Sequence, residues 1–407
     1  MKRIEGGVTA PKGFQAAGLY AGIKKGHKKD MAMIFSEAPC RAAGVFTTNV
    51  VKAAPVKWDY KVVHESKFAQ AVVVNSGVAN ACTGEEGYAC CRETAGEAGK
   101  LLGIPEDAVL VASTGVIGAQ LPMDTIKAGV GMLVPALGSG REDAALAAEA
   151  IMTTDTKPKE VAVELSIGGK TVRMAGMCKG SGMIHPNMAT MLCFVVTDAA
   201  ISRPLLQKAL SDDVVDTFNM ISVDGDTSTN DSVLLLANGL AGNPEITEEN
   251  EDYARFCEGL RLVMTELSKK IAGDGEGATC LFEVTVKGAA TKEDARILAK
   301  SVVTSSLTKA AIFGHDANWG RILCALGYSG VMFDPEQVDI WFESSAGTLK
   351  IVENGVSTGY SEEEATKILS QEEVTAICDI KAGDASATAW GCDLSFDYVK
   401  INADYRS

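Results

Sequence analysis

Short apolar stretches of strand length alternate with longer helix-like stretches along most of the chain, and this alternation restricts the fold to the α/β and α+β classes. The apolar stretches predict buried strands at 71–74, 109–112, 191–196, 233–236 and 281–286. The periodic stretches predict helices at 88–102, 143–152, 203–221, 248–271 and 294–305. The last third of the chain returns to strand-like segments, and no internal repeat or low-complexity linker divides the sequence.

Two strand-like segments, 161–167 and 171–177, flank the pair Gly168-Gly169 and predict a β-hairpin. The tripeptide that starts at the second of these glycines also resembles the end of a phosphate-binding loop. That loop needs a glycine where Glu164 stands, so the hairpin is the better interpretation.

The composition is that of a soluble globular protein, because 46% of the 407 residues are hydrophobic and 22% are charged. This length is enough for two or three domains or for one large composite domain. The net charge of −15 argues against a nucleic-acid partner, since phosphate binding needs a concentrated basic surface.

The sequence predicts a cytoplasmic protein without a membrane span. No apolar run reaches the roughly 20 residues that a membrane-spanning helix needs, and the segment from Met1 lacks the pattern of a signal peptide. The 11 cysteines are an odd number and include no C-x-x-C pair, which favours free, mostly buried thiols.

Neither a metal site nor a cofactor is predicted. The four histidines are scattered, and no two of them have the spacing of metal ligands. The segment 224–230 begins like a calcium-binding loop, but Leu235 stands at position 12 in place of glutamate. We interpret this segment as a polar turn that could lie beside a site.

The segment 179–192 is the most unusual in the chain. Two glycines and a proline constrain its backbone, and it runs directly into the predicted strand at 191–196. At the junction, the hydroxyl of Thr190 could attack the carbonyl of Ala189 and move the acyl group from nitrogen to oxygen. Hydrolysis of that ester would leave a chain that begins with Thr190. From the residues alone, a structural role for this threonine also stays open.

The same segment resembles the self-cleavage motif of the glutamate N-acetyltransferase family, which is also called the ornithine acetyltransferase family. The resemblance covers nearly the whole chain, because further segments match in the family's order. These segments are 6–14, 72–84, 113–118, 153–156, 222–231 and 398–407. Within them, Val78 stands where the family more often has asparagine, a difference that does not touch the proposed chemistry.

The resemblance implies an α/β layered sandwich with the ornithine acetyltransferase fold, and a mechanism of the N-terminal-nucleophile type. It implies autocatalytic cleavage between Ala189 and Thr190. The resulting alpha chain, 1–189, and beta chain, 190–407, would interleave in one composite unit and assemble as an α2β2 heterotetramer. No metal or organic cofactor is implied.

The implied reaction transfers an acetyl group from N2-acetyl-L-ornithine to L-glutamate in arginine biosynthesis, in two steps with ping-pong kinetics. The hydroxyl of Thr190 is the implied nucleophile. Its own α-amine is the implied base, since a free α-amine has a pKa of about 8 and is partly neutral near pH 7. The hydroxyl of Thr114 and the backbone N–H of Gly115 are the implied oxyanion hole.

Substrate binding is implied for six positions, which are Thr153, Lys179, Thr190, Glu276, Asn402 and Ser407. Lys179 suits a carboxylate and Glu276 an ammonium group, but the sequence leaves open which substrate group each one contacts. Because Thr154 adjoins Thr153, the assignment there could be displaced by one residue. Asn402 and Ser407 can contribute only if the C-terminal tail is docked.

Three alternatives stay open at this point. Acetyl-CoA could be a second donor, which would make the chain an amino-acid N-acetyltransferase as well and therefore bifunctional. A related self-cleaving amidohydrolase or aminopeptidase would use water as the acceptor in place of glutamate. A non-catalytic binding or scaffold protein would keep the loop without cleaving it.

Overall fold

The computed structural model describes residues 1–185 and 191–404. Within these residues, two mixed β-sheets are layered with helices, which confirms the predicted α/β layered fold. The strands of the first sheet are β1 (Lys2–Ile4), β2 (Phe14–Leu19), β3 (Met31–Phe46), β4 (Ala69–Val78), β5 (Val109–Val116), β6 (Lys159–Ile167), β7 (Lys170–Lys179), β8 (Leu192–Thr197) and β10 (Ser232–Ala237). The strands of the second sheet are β9 (Ile221–Ser222), β11 (Leu281–Ala289), β12 (Asp339–Ser344), β13 (Gly347–Glu353), β14 (Val356–Ser357), β15 (Glu373–Asp379) and β16 (Ala385–Cys392).

Helices pack on both sides of the first sheet and on one side of the second. The helices before residue 190 are α1 (Ala54–Glu65), α2 (Gly84–Leu102), α3 (Met123–Leu133) and α4 (Arg141–Ala150). The helices after it are α5 (Arg203–Val214), α6 (Glu251–Gly273), α7 (Lys292–Thr304), α8 (Ser306–Phe313), α9 (Trp319–Gly327), α10 (Glu362–Leu369) and α11 (Phe396–Asp404). Helix α6 packs against β6 and β7 of the first sheet and against β11 and β16 of the second, so it joins the two layers.

The first sheet contains strands from both sides of residue 190. Its order is β1-β6-β7-β8-β10-β3-β4-β5, and β2 pairs with β3. Lys179 of β7 lies opposite Leu192 of β8, and Ser232 of β10 lies between Leu192 and Phe46 of β3. The adjacent strands β8 and β10, which follow residue 190, therefore lie as a pair between β7 and β3, which precede it.

The central strands β8 and β10 of the first sheet are buried on both faces, which explains why they are apolar at nearly every position. In β8, Leu192 and Phe194 face the core formed with α1 to α4, whereas Cys193 and Val195 face the core that contains α5 and α6. These central strands therefore supply side chains to two hydrophobic cores.

The second sheet has one buried face. In β11, Phe282 and Val284 are fully buried, whereas Glu283 and Thr285 between them are only half-buried. This alternation with a period of two is the pattern of a strand that covers a core on one side only.

Several predicted elements are confirmed with small shifts at their ends. The predicted hairpin is β6 and β7, and its two glycines, Gly168 and Gly169, have φ angles of 54° and 73°. Positive φ at both central residues is what a two-residue hairpin turn of type I′ requires. Helix α6 begins after Asn250, whose side chain accepts a hydrogen bond from the N–H of Tyr253. All 11 cysteines are free, and most are buried.

The predicted helix at 203–221 is wrong in its extent. Helix α5 ends at Val214, and Ile221 pairs with Trp390 at the edge of the second sheet. Pairing in the second sheet overrides the local helical pattern there, because it buries the apolar side chain. The last third of the chain also contains short helices that the strand-like pattern did not predict, since elements of eight or nine residues give a weak periodic signal.

In the described part of the chain, no helix has both the length and the apolar character that crossing a membrane would require.

Candidate active site

A small cavity lies where the ends of β5, β7 and β8 meet the loop after α4, the loop after α6, the turn before β10 and helix α11. It has a volume of about 150 Å³, and a cavity of about this volume can hold a molecule the size of benzene. Six of the predicted site residues line it, and they are Thr114, Gly115, Thr153, Lys179, Glu276 and Asn402. Thr154 lines it too, so the displacement by one residue considered for Thr153 stays unresolved.

The end of β5 brings backbone close to the cavity at Gly115. This residue has a φ of 130°, and a Cβ atom there would lie 2.3 Å from the carbonyl carbon of Gly77 on the neighbouring strand β4. No residue other than glycine fits without moving one of these strands. Thr114, which precedes it, is 9% exposed and also reaches the cavity.

Lys179 supplies a positive charge at the end of β7. The residue is 8% exposed, and its ammonium group forms no hydrogen bond or ion pair with any residue in the described ranges. Burial of an ammonium group is costly unless the group is paired, so the ammonium group of Lys179 at the cavity suits an anionic group of a ligand.

Glu276 and Asn402 form the opposite, polar side of the cavity. The Oε2 atom of Glu276 accepts a hydrogen bond of 2.8 Å from the Nδ2 atom of Asn402. A Cβ atom at Gly182 would lie 2.3 Å from the carboxylate carbon of Glu276, so this glycine makes room for the carboxylate. Helix α11 carries Asn402, so the expected docking of the tail is confirmed as far as residue 404.

A buried ion cluster lies beneath the loops that carry Thr153 and Lys179. The Nζ atom of Lys159 is 2.6 Å from Oδ1 of Asp155 and 2.5 Å from Oδ2 of Asp274. Asp155 also accepts hydrogen bonds from the N–H of Thr153, at 3.0 Å, and from the N–H of Gly180, at 2.7 Å. The cluster thus fixes the backbone at two points beside the cavity, Thr153 and Gly180.

The ion cluster is stable in its charged form. Although burial acts to raise the pKa of Asp155, the positive charges of Lys179 and Lys159 hold it below the usual value. Burial lowers the pKa of Lys159, but the two carboxylates raise it above its usual value overall. Both partners therefore remain ionised at neutral pH.

Four residues of the turn before β10 also line the cavity, and the sequence assigned no role to them individually. They are Ser228, Thr229, Asn230 and Asp231. The Nδ2 atom of Asn230 donates to the carbonyl oxygens of Ala79, at 2.6 Å, and of Ser113, at 2.8 Å, and so ties the turn to the end of β5. The only signal in the sequence is the polar segment 224–230 before an apolar strand, and that segment predicts no more than a turn beside a site.

Three predicted site residues, Ala189, Thr190 and Ser407, lie outside the described residues. The chain on either side of the first two is described, and both Ile184 and Met191 line the cavity.

Histidine and metal chemistry have little support in the described part of the chain. No group of three His, Cys, Asp or Glu residues there could hold a metal ion. His185 precedes the gap, and burial lowers its pKa to about 4. Its Nδ1 atom is 3.1 Å from the hydroxyl of Ser222, and its ring is not among the described groups that line the cavity.

The α/β layers and a small cavity with a buried cation, a carboxylate and closely approaching backbone define an enzyme that acts on small charged metabolites. Residues 15–407 match the model of the ArgJ family. The chain belongs to the ArgJ family, which confirms the predicted family relationship.

Two curated relatives illustrate the relationship. The chain is 55% identical over 409 residues to the arginine biosynthesis bifunctional protein ArgJ of Symbiobacterium thermophilum, with 100% of both chains covered. It is 51% identical over 398 residues to the protein of that name from Thermotoga neapolitana, with 98% of this chain and 99% of the relative covered.

A solved structure of a relative covers about half of the chain. It is the crystal structure of the arginine biosynthesis bifunctional protein argJ from Bacillus halodurans, which is 49% identical and has a TM-score of 0.50. The match covers 52% of this chain but 98% of that one, so the crystallised chain is about half as long as this one.

Proposed function

We propose that this chain is a glutamate N-acetyltransferase of arginine biosynthesis that moves an acetyl group from N2-acetyl-L-ornithine to L-glutamate. The observation that carries the proposal is the meeting of six predicted site residues in one small cavity, although they span residues 114 to 402 of the sequence. Family membership supports it, because the relatives are named as bifunctional proteins of arginine biosynthesis.

In the first half of the proposed reaction, the hydroxyl of Thr190 attacks the acetyl carbonyl of N2-acetyl-L-ornithine. The hydroxyl proton passes to the α-amine of the same residue and then to the leaving nitrogen, so that ornithine departs as an amine and an acetyl ester of Thr190 remains. The hydroxyl of Thr114 and the N–H of Gly115 stabilise the oxyanion that forms on the acetyl carbonyl.

In the second half, the neutral α-amine of L-glutamate attacks the ester carbonyl. Its surplus proton returns through the Thr190 α-amine to the threonine oxygen, the ester bond breaks, and N-acetyl-L-glutamate leaves. The same oxyanion donors serve both halves, since both pass through a tetrahedral intermediate at the same carbon.

The charges in the cavity suit amino-acid substrates. Lys179 offers a buried ammonium group for a carboxylate, and Glu276 offers a carboxylate for an ammonium group. Asn402 donates to Glu276 in this structure, and its amide could also donate to the side-chain carboxylate of glutamate. Thr153 supplies a further hydroxyl, and Ser407 is proposed to complete the binding site.

We also propose that the chain cuts itself between Ala189 and Thr190 into an alpha chain, 1–189, and a beta chain, 190–407. Three observations support this. First, the crystallised relative described above is about half as long as this chain. Second, residues on both sides of the junction, Ile184 and Met191, line the cavity. Third, both proposed products contribute strands to the first sheet, which would hold them together.

The proposal extends to acetyl-CoA as a second donor, because the relatives are named bifunctional. We further propose that two copies of each product form an α2β2 heterotetramer, that the enzyme works in the cytoplasm, and that it needs no cofactor.

Labelled donors test the proposed reaction and separate it from its alternatives. With N2-acetyl-L-ornithine carrying a radiolabelled acetyl group, the label should appear in N-acetyl-L-glutamate and not in free acetate. Free acetate would favour the amidohydrolase or aminopeptidase alternative. The same assay with labelled acetyl-CoA tests the second donor.

Denaturing electrophoresis tests the scaffold alternative. The wild type should give two bands and Thr190→Ala one band of full length without transfer activity. A wild type that stays whole and inactive would contradict the proposed function.

A further inference from the structure

Asp231 presents a carboxylate oxygen that has no partner in the described structure. The residue lies directly before β10 and is 2% exposed, yet it lines the cavity. Its Oδ2 atom is buried and has no hydrogen-bond partner among the described residues. Buried polar atoms nearly always have a partner, so an unpaired carboxylate oxygen on a residue that lines the cavity indicates a group supplied by a ligand.

The backbone around Asp231 fixes this carboxylate between two parts of the cavity. The preceding residue, Asn230, is tied to Ser113 beside Thr114, and the N–H of the following residue, Ser232, donates to the carbonyl oxygen of Met191 at 2.9 Å. The N–H of Thr47 donates to the carbonyl oxygen of Asp231 at 3.0 Å. The side chain therefore sits at a fixed point between the end of β5 and the start of β8.

The charge of Lys179 acts on this carboxylate. Burial raises the pKa of Asp231 well above its usual value, whereas hydrogen bonds from Ser228 and the positive charge of Lys179 lower it. The ammonium group of Lys179 and a carboxylate with one unpaired oxygen, that of Asp231, therefore belong to residues that line the same small cavity.

The proposed acetyl donor and the proposed acetylated product share one group that matches this arrangement. In N2-acetyl-L-ornithine and in N-acetyl-L-glutamate, one α-carbon bears a carboxylate and an acetylated nitrogen with its N–H. A carboxylate at Lys179 and an acetyl oxygen at Thr114 and Gly115 would direct the N–H toward a third point of the cavity. Asp231, which lines the same cavity and has an unpaired oxygen, can accept a hydrogen bond there.

We infer that Asp231 contacts the substrate by accepting a hydrogen bond from the α-nitrogen that loses or gains the acetyl group. This inference rests on the proposed function. Asp231 would then select for an acetylated α-nitrogen in both N2-acetyl-L-ornithine and N-acetyl-L-glutamate. Glu276 and Asn402 would contact the side chains, in which these two compounds differ.

Two exchange reactions test the inference, because each uses one substrate pair alone. Labelled L-ornithine is exchanged into N2-acetyl-L-ornithine without glutamate, and labelled L-glutamate into N-acetyl-L-glutamate without ornithine. Asp231→Ala should lower kcat/KM in both exchanges by a similar factor of roughly 2 to 10, the range for a hydrogen bond between neutral groups, whereas Asp231→Asn should lose less, because its amide oxygen can still accept the hydrogen bond. Asp226→Asn, an exposed position of the same turn, should leave both rates unchanged.

A wild-type measurement makes the test independent of how well the variants fold. A donor with a methyl group on the acetylated nitrogen lacks the N–H and should react more slowly with the wild type. The Asp231→Ala variant should no longer distinguish this donor from the ordinary one.

Four results would overturn the inference. Unchanged exchange in both Asp231 variants would show that the oxygen meets no substrate. A loss confined to ornithine exchange would show that Asp231 contacts the side-chain ammonium group of ornithine instead of the α-nitrogen. If the Asp231 variants fail to cleave themselves between Ala189 and Thr190, Asp231 would act in self-cleavage and not in substrate binding. A wild type without any exchange would overturn the proposed function, and this inference with it, whereas the first three results would leave the proposed function intact.

Discussion

The first sheet has central strands that are buried on both faces, and it contains strands from both sides of residue 190, whereas the second sheet is buried on one face and contains only strands that follow it. Strands β5, β7 and β8 of the first sheet line the cavity, and no described strand of the second sheet does. The second sheet contributes indirectly, because it packs against α6, the helix that leads to Glu276.

This difference shows how a chain could be cut at its active site and keep its fold. A break before Thr190 would separate neighbouring strands in sequence, but β8 and β10 would remain hydrogen-bonded between β7 and β3. The two cores on either side of the first sheet would hold the pieces together.

The largest expected difference between the two regions concerns their ion clusters. Lys159→Met leaves Asp155 and Asp274 buried without a cation, and we expect it to lower the free energy of unfolding by about 3–5 kcal/mol. Lys350→Met, next to Asp339 and Glu353 on the second sheet, is the matched control. Because that cluster is more exposed, the loss of unfolding free energy there should be much smaller. Urea unfolding of both variants measures this, and equal losses would contradict the comparison.

A second prediction sharpens the role of the end of β5. Gly115→Ala places a Cβ atom against Gly77 and displaces the proposed oxyanion donor, so kcat should fall by about 10²–10³-fold. Gly118→Ala is the matched control, because this residue also has a positive φ, of 89°, but no atom lies within 4 Å of the added Cβ. Similar kcat values for the two variants would show that backbone strain, and not the site, causes the loss.

A third prediction tests whether α11 belongs to the site. Asn402→Ala removes the hydrogen bond to Glu276, and kcat/KM for acetyl transfer should fall by about tenfold or more. Lys400→Ala, an exposed change in the same helix, should have no effect. A loss in kcat/KM that matches the control would exclude Asn402 from substrate binding.

The smallest expected effect is a pH dependence of stability that arises from His185, whose ring contacts Ser222. Burial lowers the pKa of His185 to about 4, below the unfolded value of about 6.5. Between these values the unfolded chain binds the extra proton, so stability contributed by the neutral imidazole falls as the pH drops from about 6.5 to about 4. Because the ring is partly exposed, we expect roughly 1 kcal/mol.

Substitution of two histidines by asparagine checks this dependence. His185→Asn should flatten the fall in unfolding free energy over that pH range. His315→Asn, an exposed position near the second sheet, should leave the curve unchanged. An identical slope in the wild type and in His185→Asn would contradict the prediction.

The sequence predicts much of the first sheet, because strands buried on both faces are short, continuous apolar runs. Such runs predict the strands β4, β5, β8 and β10, whereas the glycine pair between two strand-like segments predicts the hairpin of β6 and β7. The second sheet was harder to predict, since its half-buried strands and short helices give weaker patterns. Helix α5 was predicted too long because Ile221 belongs to β9, a two-residue strand whose partner lies near residue 390.

The cavity residues were predicted by resemblance and not by local pattern. Nothing in the sequence alone indicates that Glu276 and Asn402 meet, because their contact depends on how α11 folds back. The free oxygen of Asp231 is likewise visible only once the packing of the turn against β5 is known.

Mass spectrometry of the wild-type protein after incubation with N2-acetyl-L-ornithine tests the central claim most directly. The account predicts two polypeptides, of which the one beginning at Thr190 gains a single acetyl group on that residue and loses it when L-glutamate is added. A single full-length polypeptide that still transfers acetyl, or an acetyl group on another residue that L-glutamate removes, would contradict it.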